Sequence, residues 1–472
     1  MEARGLVFYE LNEVPRVILE RFADKHPDSN IASMLDSAIL YETKAIDPQP
    51  LSPWTTWPTL HRGVPVSKHG ITELGQDVTS VNEAYPPVWT LLAQSGVRVG
   101  VFGCLHSFPV PDDADNVMFY VPDTFAESPN ALPNKLSSFQ ELNLHLVKRS
   151  GRNVSGGFPL GLGLKFLRDA IGNGLTARTF FRVVQQLMSE RLRKESLVRR
   201  RSIQTEIAFD LLLRQLQTQT PRASFFFTNH LASSMHRYWP AAFPEDYPDS
   251  DFSGSWVASW KGEVEFSLRV ADYQIGRLRE ECIRSNLGFC LASSMGQAPV
   301  RGAEPIKSQV MITDIGKFLD ALGIGRDQWT PQMSMAPRQV VRPTHPDFSS
   351  KVRNIENLKV NGEGIPYVIT ATGEYCFELS QIDAGSVVVT ANDVVRKGSD
   401  FGIENVILQD GTGSYAYHVP EGVLILDDLC SADDSETSVG WRQISVLDVA
   451  PAVLDAFNVP IPSYMKKNAI NL

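Results

Sequence analysis

The 472-residue chain carries several short polar clusters whose residue types could activate a nucleophile, hold a metal ion or bind an anion. The segment Ser52-Pro-Trp-Thr-Thr-Trp-Pro-Thr-Leu-His61 sets two adjacent hydroxyls, Thr55 and Thr56, ahead of His61 and His69. A threonine hydroxyl is a weak nucleophile until a neighbouring base or a metal ion activates it. His106 and His230 are imidazoles of the kind that serve as general bases near neutral pH. His236 and His418 are two more, far apart in the chain. Each cluster also has an ordinary structural explanation. A loop histidine commonly does no more than hydrogen-bond, and a threonine pair commonly caps a helix. What sets these clusters apart is their order along the chain, at the ends of apolar runs.

Those runs are the elements that must position them. Leu6–Leu11 ends in Asn12-Glu13 and reads as a buried parallel strand with polar residues at its C-terminal end. In open α/β sheets that edge is where ligands sit. Arg16–Ala23 predicts a helix, whereas Leu51–Ile71, rich in Pro, Thr, Trp and His, predicts neither a clean helix nor a clean strand. Val88–Gly96 reads as a helix closed by a glycine, followed by a strand over Val97–Phe102. Ala223–Thr228 is another buried strand, with Asn229-His230 at its end, and a helix over Lys261–Ser285 leads to a strand over Leu287–Ser293. Ser445–Phe457 reads as a last helix. Strand, helix and strand at this spacing argue for βαβ units, an α/β fold with a central, mostly parallel sheet and helices on both faces.

Two stretches differ in texture. Residues 126–215 predict a helical insertion or cap over the sheet edge, and 341–415 a small β-rich insertion. The core then comprises 1–125, 216–340 and 416–472. In the helical part, the clusters Arg191-Leu-Arg-Lys and Arg199-Arg-Arg fit a solvated helix face, or contact with a membrane surface or a polyanion through Arg191–Arg201. The apolar residues of Phe158–Val183 fit either a groove or ordinary packing.

Taken in order, the clusters resemble the alkaline phosphatase superfamily, and within it the nucleotide pyrophosphatase and type I phosphodiesterase branch. The resemblance covers Leu6 to about Pro122, Phe225–Gln297 and Tyr417 to the C-terminus. Ser52–Ile71, with Gly63 and His69-Gly-Ile71, is similar to the nucleophile segment, although Pro65 falls one position early. Gly96–Pro111 resembles the next strand and its Pro-rich loop. Ala232-Ser-Ser-Met-His236 resembles Asp-x-x-x-His, Ser293-Ser-Met-Gly-Gln297 resembles Ser-Asp-His-Gly-Gln, and Tyr417–Ile425 resembles the late His-x-x-x-Gly strand. Val446–Asp455 and Val459-Pro-Ile-Pro resemble the closing helix and tail.

The resemblance implies hydrolysis of phosphate or sulfate esters by two metal ions, usually zinc, about 4 Å apart. Thr56 matches the nucleophile, with Thr55 as its alternative because the spacing to His69 is short. His236 and His418 match the two histidines of one metal site. Four other ligand positions depart from the pattern: Asn12, Ala232, Ser294 and Met295 replace three carboxylates and one imidazole. Glu10, Glu13, His61, His106 and His230 lie near enough to the motifs to substitute, with Glu10 as the candidate third ligand. Asn12, His61 and Asn229 are candidate substrate contacts.

Three readings stay open. One is a phosphodiesterase-like enzyme with an altered, single-metal site and reduced zinc occupancy. A second is a non-catalytic member, metal-free, that binds an anionic ligand or a protein. The third is metal-independent transfer with His106 or His230 as base.

Composition bounds the rest. Apolar residues make up 43% and charged residues 21%, as in ordinary globular proteins. The formal net charge of −10 argues against sequence-independent DNA binding but leaves small anionic or phosphorylated substrates open. Five cysteines, none in a CxxC pair, argue against a zinc knuckle or a disulfide framework. Free thiols, the short apolar run at the N-terminus and the lack of an 18-residue apolar stretch lead to the expectation of a cytoplasmic protein without a transmembrane segment.

Overall fold

A computed structural model describes residues 5–112, 115–149, 169–332, 337–370, 372–408, 410–427 and 440–466, together with 334 and 470. The chain divides into two compact units. The first comprises Met1–His145, Phe158–Ala303 and Ser414–Leu472; the second comprises Leu146–Gly157 and Glu304–Gly413.

The first unit is built on an eight-stranded sheet. Its spatial order is Arg442–Ser445, Ile39–Lys44, Glu421–Asp427, Leu287–Ala292, Gly5–Leu11, Ala223–Thr228, Val99–Phe102 and Val117–Val121. Glu421–Asp427 runs antiparallel to both its neighbours, and the other pairings are parallel. The α/β reading therefore holds. The strand Ile39–Lys44 is one that the apolar pattern did not announce, because its sequence Ile-Leu-Tyr-Glu-Thr-Lys mixes polar and apolar residues.

Both faces of Gly5–Leu11 are covered. Phe8 enters an apolar cluster with Trp57, Trp89 and Val449, supplied by helices Pro53–Arg62, Val88–Gln94 and Val449–Ala456, and with Phe225 of the neighbouring strand Ala223–Thr228. Tyr9, on the other face, donates its hydroxyl to Gln274 Oε1 of the helix Glu263–Ser285 at 2.5 Å. Alternation along the strand thus turns neighbouring residues into two separate cores.

The segment Leu51–Ile71 corrects the sequence expectation: it is helical over Pro53–Arg62 and again over Val66–His69. Ser52 caps the first helix by accepting from Trp54 N, Pro53 occupies its first turn, and Gly63 closes it in the left-handed region at φ 59°. These are the ordinary start and stop signals of a helix. The interior Pro58 and the run of Thr and Trp masked them.

Described residues of the 126–215 region are mostly helical, with helices Ser137–Arg149, Ala177–Leu192 and Arg200–Gln219. Of the apolar stretch 158–183, Phe158, Leu160, Leu162, Phe166 and Leu167 lie outside the described residues. Among the described residues no helix is long and apolar enough to cross a membrane.

The second unit is β-rich. Its strands form two four-stranded antiparallel sheets and a two-stranded ribbon of Ser308–Ile312 with Ile403–Ile407. Its own core gathers Phe318, Trp329, Phe348, Tyr375, Phe377 and Ile403. The strands Ser308–Ile312 and Trp329–Pro331, ahead of residue 341, belong with it.

Candidate functional site

Three adjacent parallel strands bring three polar corners to one edge of the sheet. Leu287–Ala292, Gly5–Leu11 and Ala223–Thr228 run side by side. Their C-terminal ends therefore deliver Ser293-Ser-Met295, Asn12-Glu13 and Asn229-His230 to the same place. Asn12 N still donates to Thr228 O at 3.0 Å, so the register persists to that edge. Glu13 then leaves the strand direction with φ 58°.

Glu13 is the centre of the site. Its Oε2 lies 2.8 Å from His236 Nε2 and 3.2 Å from His418 Nε2. Gln297 Nε2 also donates to Oε2, at 2.6 Å, and Asn12 Nδ2 donates to Oε1 at 2.8 Å. His236 comes from the helix His230–Ala242, which starts directly after the strand Ala223–Thr228. His418 comes from the strand Ala416–Val419, which pairs with Gly296–Pro299 so that His418 stands opposite Gln297. At Gly296 an added Cβ would fall 2.1 Å from the Glu421 carbonyl oxygen, so the chain passes there too closely for any side chain.

The remaining ring nitrogens fix the tautomers. His236 Nδ1 lies 2.6 Å from the Ala416 carbonyl oxygen, and His418 Nδ1 lies 2.7 Å from that of Leu51. A carbonyl oxygen can only accept, so both Nδ1 atoms carry hydrogen. Both Nε2 atoms then face the same carboxylate oxygen. Two lone pairs against a carboxylate repel, so each Nε2 either bears a proton or turns its lone pair to a cation. Burial alone would raise the Glu13 pKa, but the facing imidazoles His418 and His236 outweigh it and hold the carboxyl well below its usual range. Burial likewise opposes charge on His418, and Glu13 with the Leu51 carbonyl overcomes it and raises that imidazole's pKa.

Among the described residues, Glu13, His236 and His418 are the one group of three His, Cys, Asp or Glu side chains whose ligand atoms all lie within 4.8 Å of one another. Two imidazoles and one carboxylate are a donor set that zinc takes in sites that keep an open position. The backbone carbonyls that orient both rings are the outer partners such ligands normally have. Gln297 Oε1, buried and without a hydrogen-bond partner among the described residues, adds an uncommitted oxygen on the residue that holds the carboxylate. The donor chemistry therefore fits one divalent cation.

The residues around this centre form a neutral network. Asn12 Oδ1 accepts from Trp57 Nε1 at 2.7 Å, and its Nδ2 serves both Glu13 and, at 2.8 Å, Asn229 Oδ1. Asn12 thereby contributes its amide to holding the carboxylate. Thr56 Oγ1 lies 2.8 Å from Ser294 Oγ, and both residues are fully buried. Ser293 Oγ accepts from Val14 N and donates to Met295 O. The Met295 side chain packs with Ala45 and Leu51. Ala232 contributes only its carbonyl, which accepts from Gln297 Nε2 at 3.1 Å.

Other residues singled out in the sequence lie elsewhere. Glu10 pairs with His61 at 2.8 Å in the interior, where the ring also meets Trp57 and Trp89. It is not one of the three clustered donors; Glu13, three residues on, holds that place. His106, at φ 55°, donates Nε2–H to Glu73 O, and His230 donates Nε2–H to Ser267 O. Burial pushes each of these two imidazoles down to about 4. Thr55 is half-buried, and its carbonyl accepts from Thr59 Oγ1. His69 accepts from Ile71 N at Nδ1 and donates from Nε2 to Thr59 Oγ1, which donates in turn to Asp47. The His-Gly-Ile sequence is thus part of a turn held by its own imidazole. Of the basic clusters, Arg199 pairs with Glu263, Arg200 with Glu190, and Arg201 donates to Ser233.

No family model and no curated protein matches the chain. Among solved structures it is similar to murine ectonucleotide pyrophosphatase / phosphodiesterase 5, at 10% identity and a TM-score of 0.40, over 99% of this chain and 98% of that one. An inactive variant of the same murine protein, in complex with AMP, matches at 10% identity and a TM-score of 0.38 over 99% and 97% of the two chains.

Proposed function

We propose that this chain is a phosphodiesterase-like protein of the alkaline phosphatase superfamily that holds a single divalent cation, zinc by its donor chemistry, between Glu13, His236 and His418. The observation that supports this reading most is the meeting of two Nε2 atoms on one carboxylate oxygen, with both Nδ1 hydrogens already given to backbone carbonyls. The substrate class is a phosphate or sulfate ester, and Thr56 is the nucleophile. When bound, the cation would supply charge neutralisation at a phosphoryl oxygen.

The chain's own groups do the remaining work. Asn12 and Gln297 hold the Glu13 carboxylate from its two sides. Ala416 and Leu51 hold the imidazoles in register. Ser294 Oγ is within hydrogen-bond reach of the Thr56 hydroxyl and can accept its hydrogen bond, which orients the hydroxyl. Thr56 sits in the first turn of the helix Pro53–Arg62, at the positive end of its dipole. A second cation at the Asn12, Ser294 and Met295 positions is not part of this reading, because those side chains are neutral and already engaged: Asn12 with Glu13, Trp57 and Asn229, Ser294 with Thr56, and Met295 with the core.

One observation favours a second reading. Thr56 has no exposed surface and is bonded to Ser294, which suits a protein that binds an anion or a partner without turnover. Two measurements on the purified chain decide between them. Zinc analysis after loading should find about one ion per chain, and an aryl phosphodiester should be hydrolysed by the wild type but not by Thr56→Ala. Trace metal only would overturn the cation site. Bound zinc without turnover would leave the binding reading.

A further inference from the structure

The helix Ala177–Leu192 is amphipathic with its polar face inward. Its two buried side chains are polar, Thr179 and Gln186. Gln186 donates to the Ser196 carbonyl at 2.6 Å and to Glu190 at 3.0 Å. Arg182 is tied to the buried Glu206, and Glu190 to Arg200. The outward face carries Phe180, Phe181, Val184, Leu187, Met188 and Leu192. Phe181 is 67% exposed, Met188 62% and Leu192 83%. At 3.6 residues per turn these six fall within an arc of roughly 140°. Such a contiguous outward apolar face on a helix already docked through ion pairs is unlike the scattered apolar residues of an ordinary surface.

Charge says what covers it. Arg191 lies within the same arc at its C-terminal end, and Arg193 and Lys194 follow directly. All three are exposed and, among the described residues, make no ion pair, whereas Arg199 and Arg200 a few residues on are paired internally. A chain of net charge −10 thus places three cations, against the one exposed carboxylate of Glu195, beside its exposed apolar helix face. Aromatic, Leu and Met side chains on one face with Arg and Lys at its border are what a lipid interface with anionic headgroups takes.

We infer that the helix Ala177–Leu192 is a peripheral membrane-docking element: its apolar face enters the headgroup–acyl boundary and Arg191, Arg193 and Lys194 meet anionic phosphates. The helix is about 24 Å long at 1.5 Å per residue, lying in the plane of the surface rather than crossing it.

The test is co-sedimentation of the full chain with phosphatidylcholine vesicles, with and without phosphatidylglycerol. Binding is expected with phosphatidylglycerol and should weaken as salt is raised. Replacing Arg191, Arg193 and Lys194 together by Gln should lower the partition roughly a hundredfold. The pair Phe181→Ser and Met188→Ser should lower it by at least about as much. Since these side chains are exposed, the thermal midpoint of each variant should match the wild type, which separates loss of docking from loss of fold. Three results would overturn the inference: no vesicle binding by the wild type, binding that the serine pair leaves unchanged, or a solution dimer that the serine pair dissociates while vesicles are ignored.

Discussion

Glu13 and His236 meet with Oε2 and Nε2 2.8 Å apart, and the same oxygen lies 3.2 Å from His418 Nε2. One carboxylate on a strand end is therefore shared by imidazoles from two distant parts of the chain. Its other oxygen is held by Asn12.

Zinc affinity should follow this arrangement. Glu13→Gln keeps the shape and removes the charge, so titration calorimetry should show a loss greater than the roughly 10- to 100-fold that removal of an outer partner costs. His418→Ala should do likewise. Unchanged affinity in both would place any bound ion elsewhere.

Asn12→Asp tests why the strand ends in an amide. The donating Nδ2 would become an oxygen facing Glu13 Oε1 and Asn229 Oδ1. Glu13 Oε1, buried and left without this donor, should cost about 1–3 kcal/mol in the metal-free protein. Added zinc should restore more of the thermal midpoint in this variant than in the wild type, because the extra carboxylate strengthens the pull on a cation. A metal-free midpoint equal to wild type would show that the amide's hydrogen bonds do not matter there.

At the hydroxyl pair, Thr56→Ala strands Ser294 Oγ in a buried site, whereas Thr56→Ser keeps the contact. Urea unfolding should report a loss of about 1–3 kcal/mol for the alanine variant and little for serine. Aryl phosphodiester hydrolysis should disappear with alanine and persist with serine. A rate untouched by alanine would remove Thr56 from the chemistry while leaving its structural bond to Ser294.

The buried imidazole of His230 makes an acid-stability prediction. Its pKa is lowered by burial from the ordinary 6.5 to about 4. Below pH 6.5 the unfolded chain takes up a proton that the folded one refuses, so stability is lost as pH falls from there toward 4. Between pH 7 and 5 this one group should account for about 2 kcal/mol. His230→Gln retains a donor for Ser267 O and should flatten the decline by about that amount in denaturant titrations at the two pH values. A parallel decline in both proteins would mean that His230 is not protected from protonation in the fold.

Much of the architecture could be read from periodicity. Leu6–Leu11 and Ala223–Thr228 are short runs dominated by apolar residues, with only Glu10 in the first and Ser224 and Thr228 in the second, and such runs favour a buried strand. Ile39–Lys44 was illegible because its own sequence, Ile-Leu-Tyr-Glu-Thr-Lys, mixes polar and apolar residues and records no strand pattern. The site was legible in part. His236 and His418 lie together, and the carboxylate between them is that of Glu13, whereas Glu10 faces His61. Both carboxylates border the same strand end, and only the tertiary path decides between them: Glu10 is engaged by His61, and the backbone turns at Glu13 into the left-handed region. Gln297 was visible only as the last residue of a motif. Its grip on Glu13 depends on the pairing of Gly296–Pro299 with Ala416–Val419.

That pairing has a consequence for the order of events during synthesis. The Glu13 corner and the helix bearing His236 leave the ribosome long before the strand that carries His418, and Ala416 supplies the acceptor that orients His236. Until that strand is in place, Glu13 would face one imidazole that lacks its orienting carbonyl, and the other imidazole would be absent. In the proposed cation site, the third ligand and the carbonyl that orients His236 would arrive together, when Ala416–Val419 pairs with Gly296–Pro299.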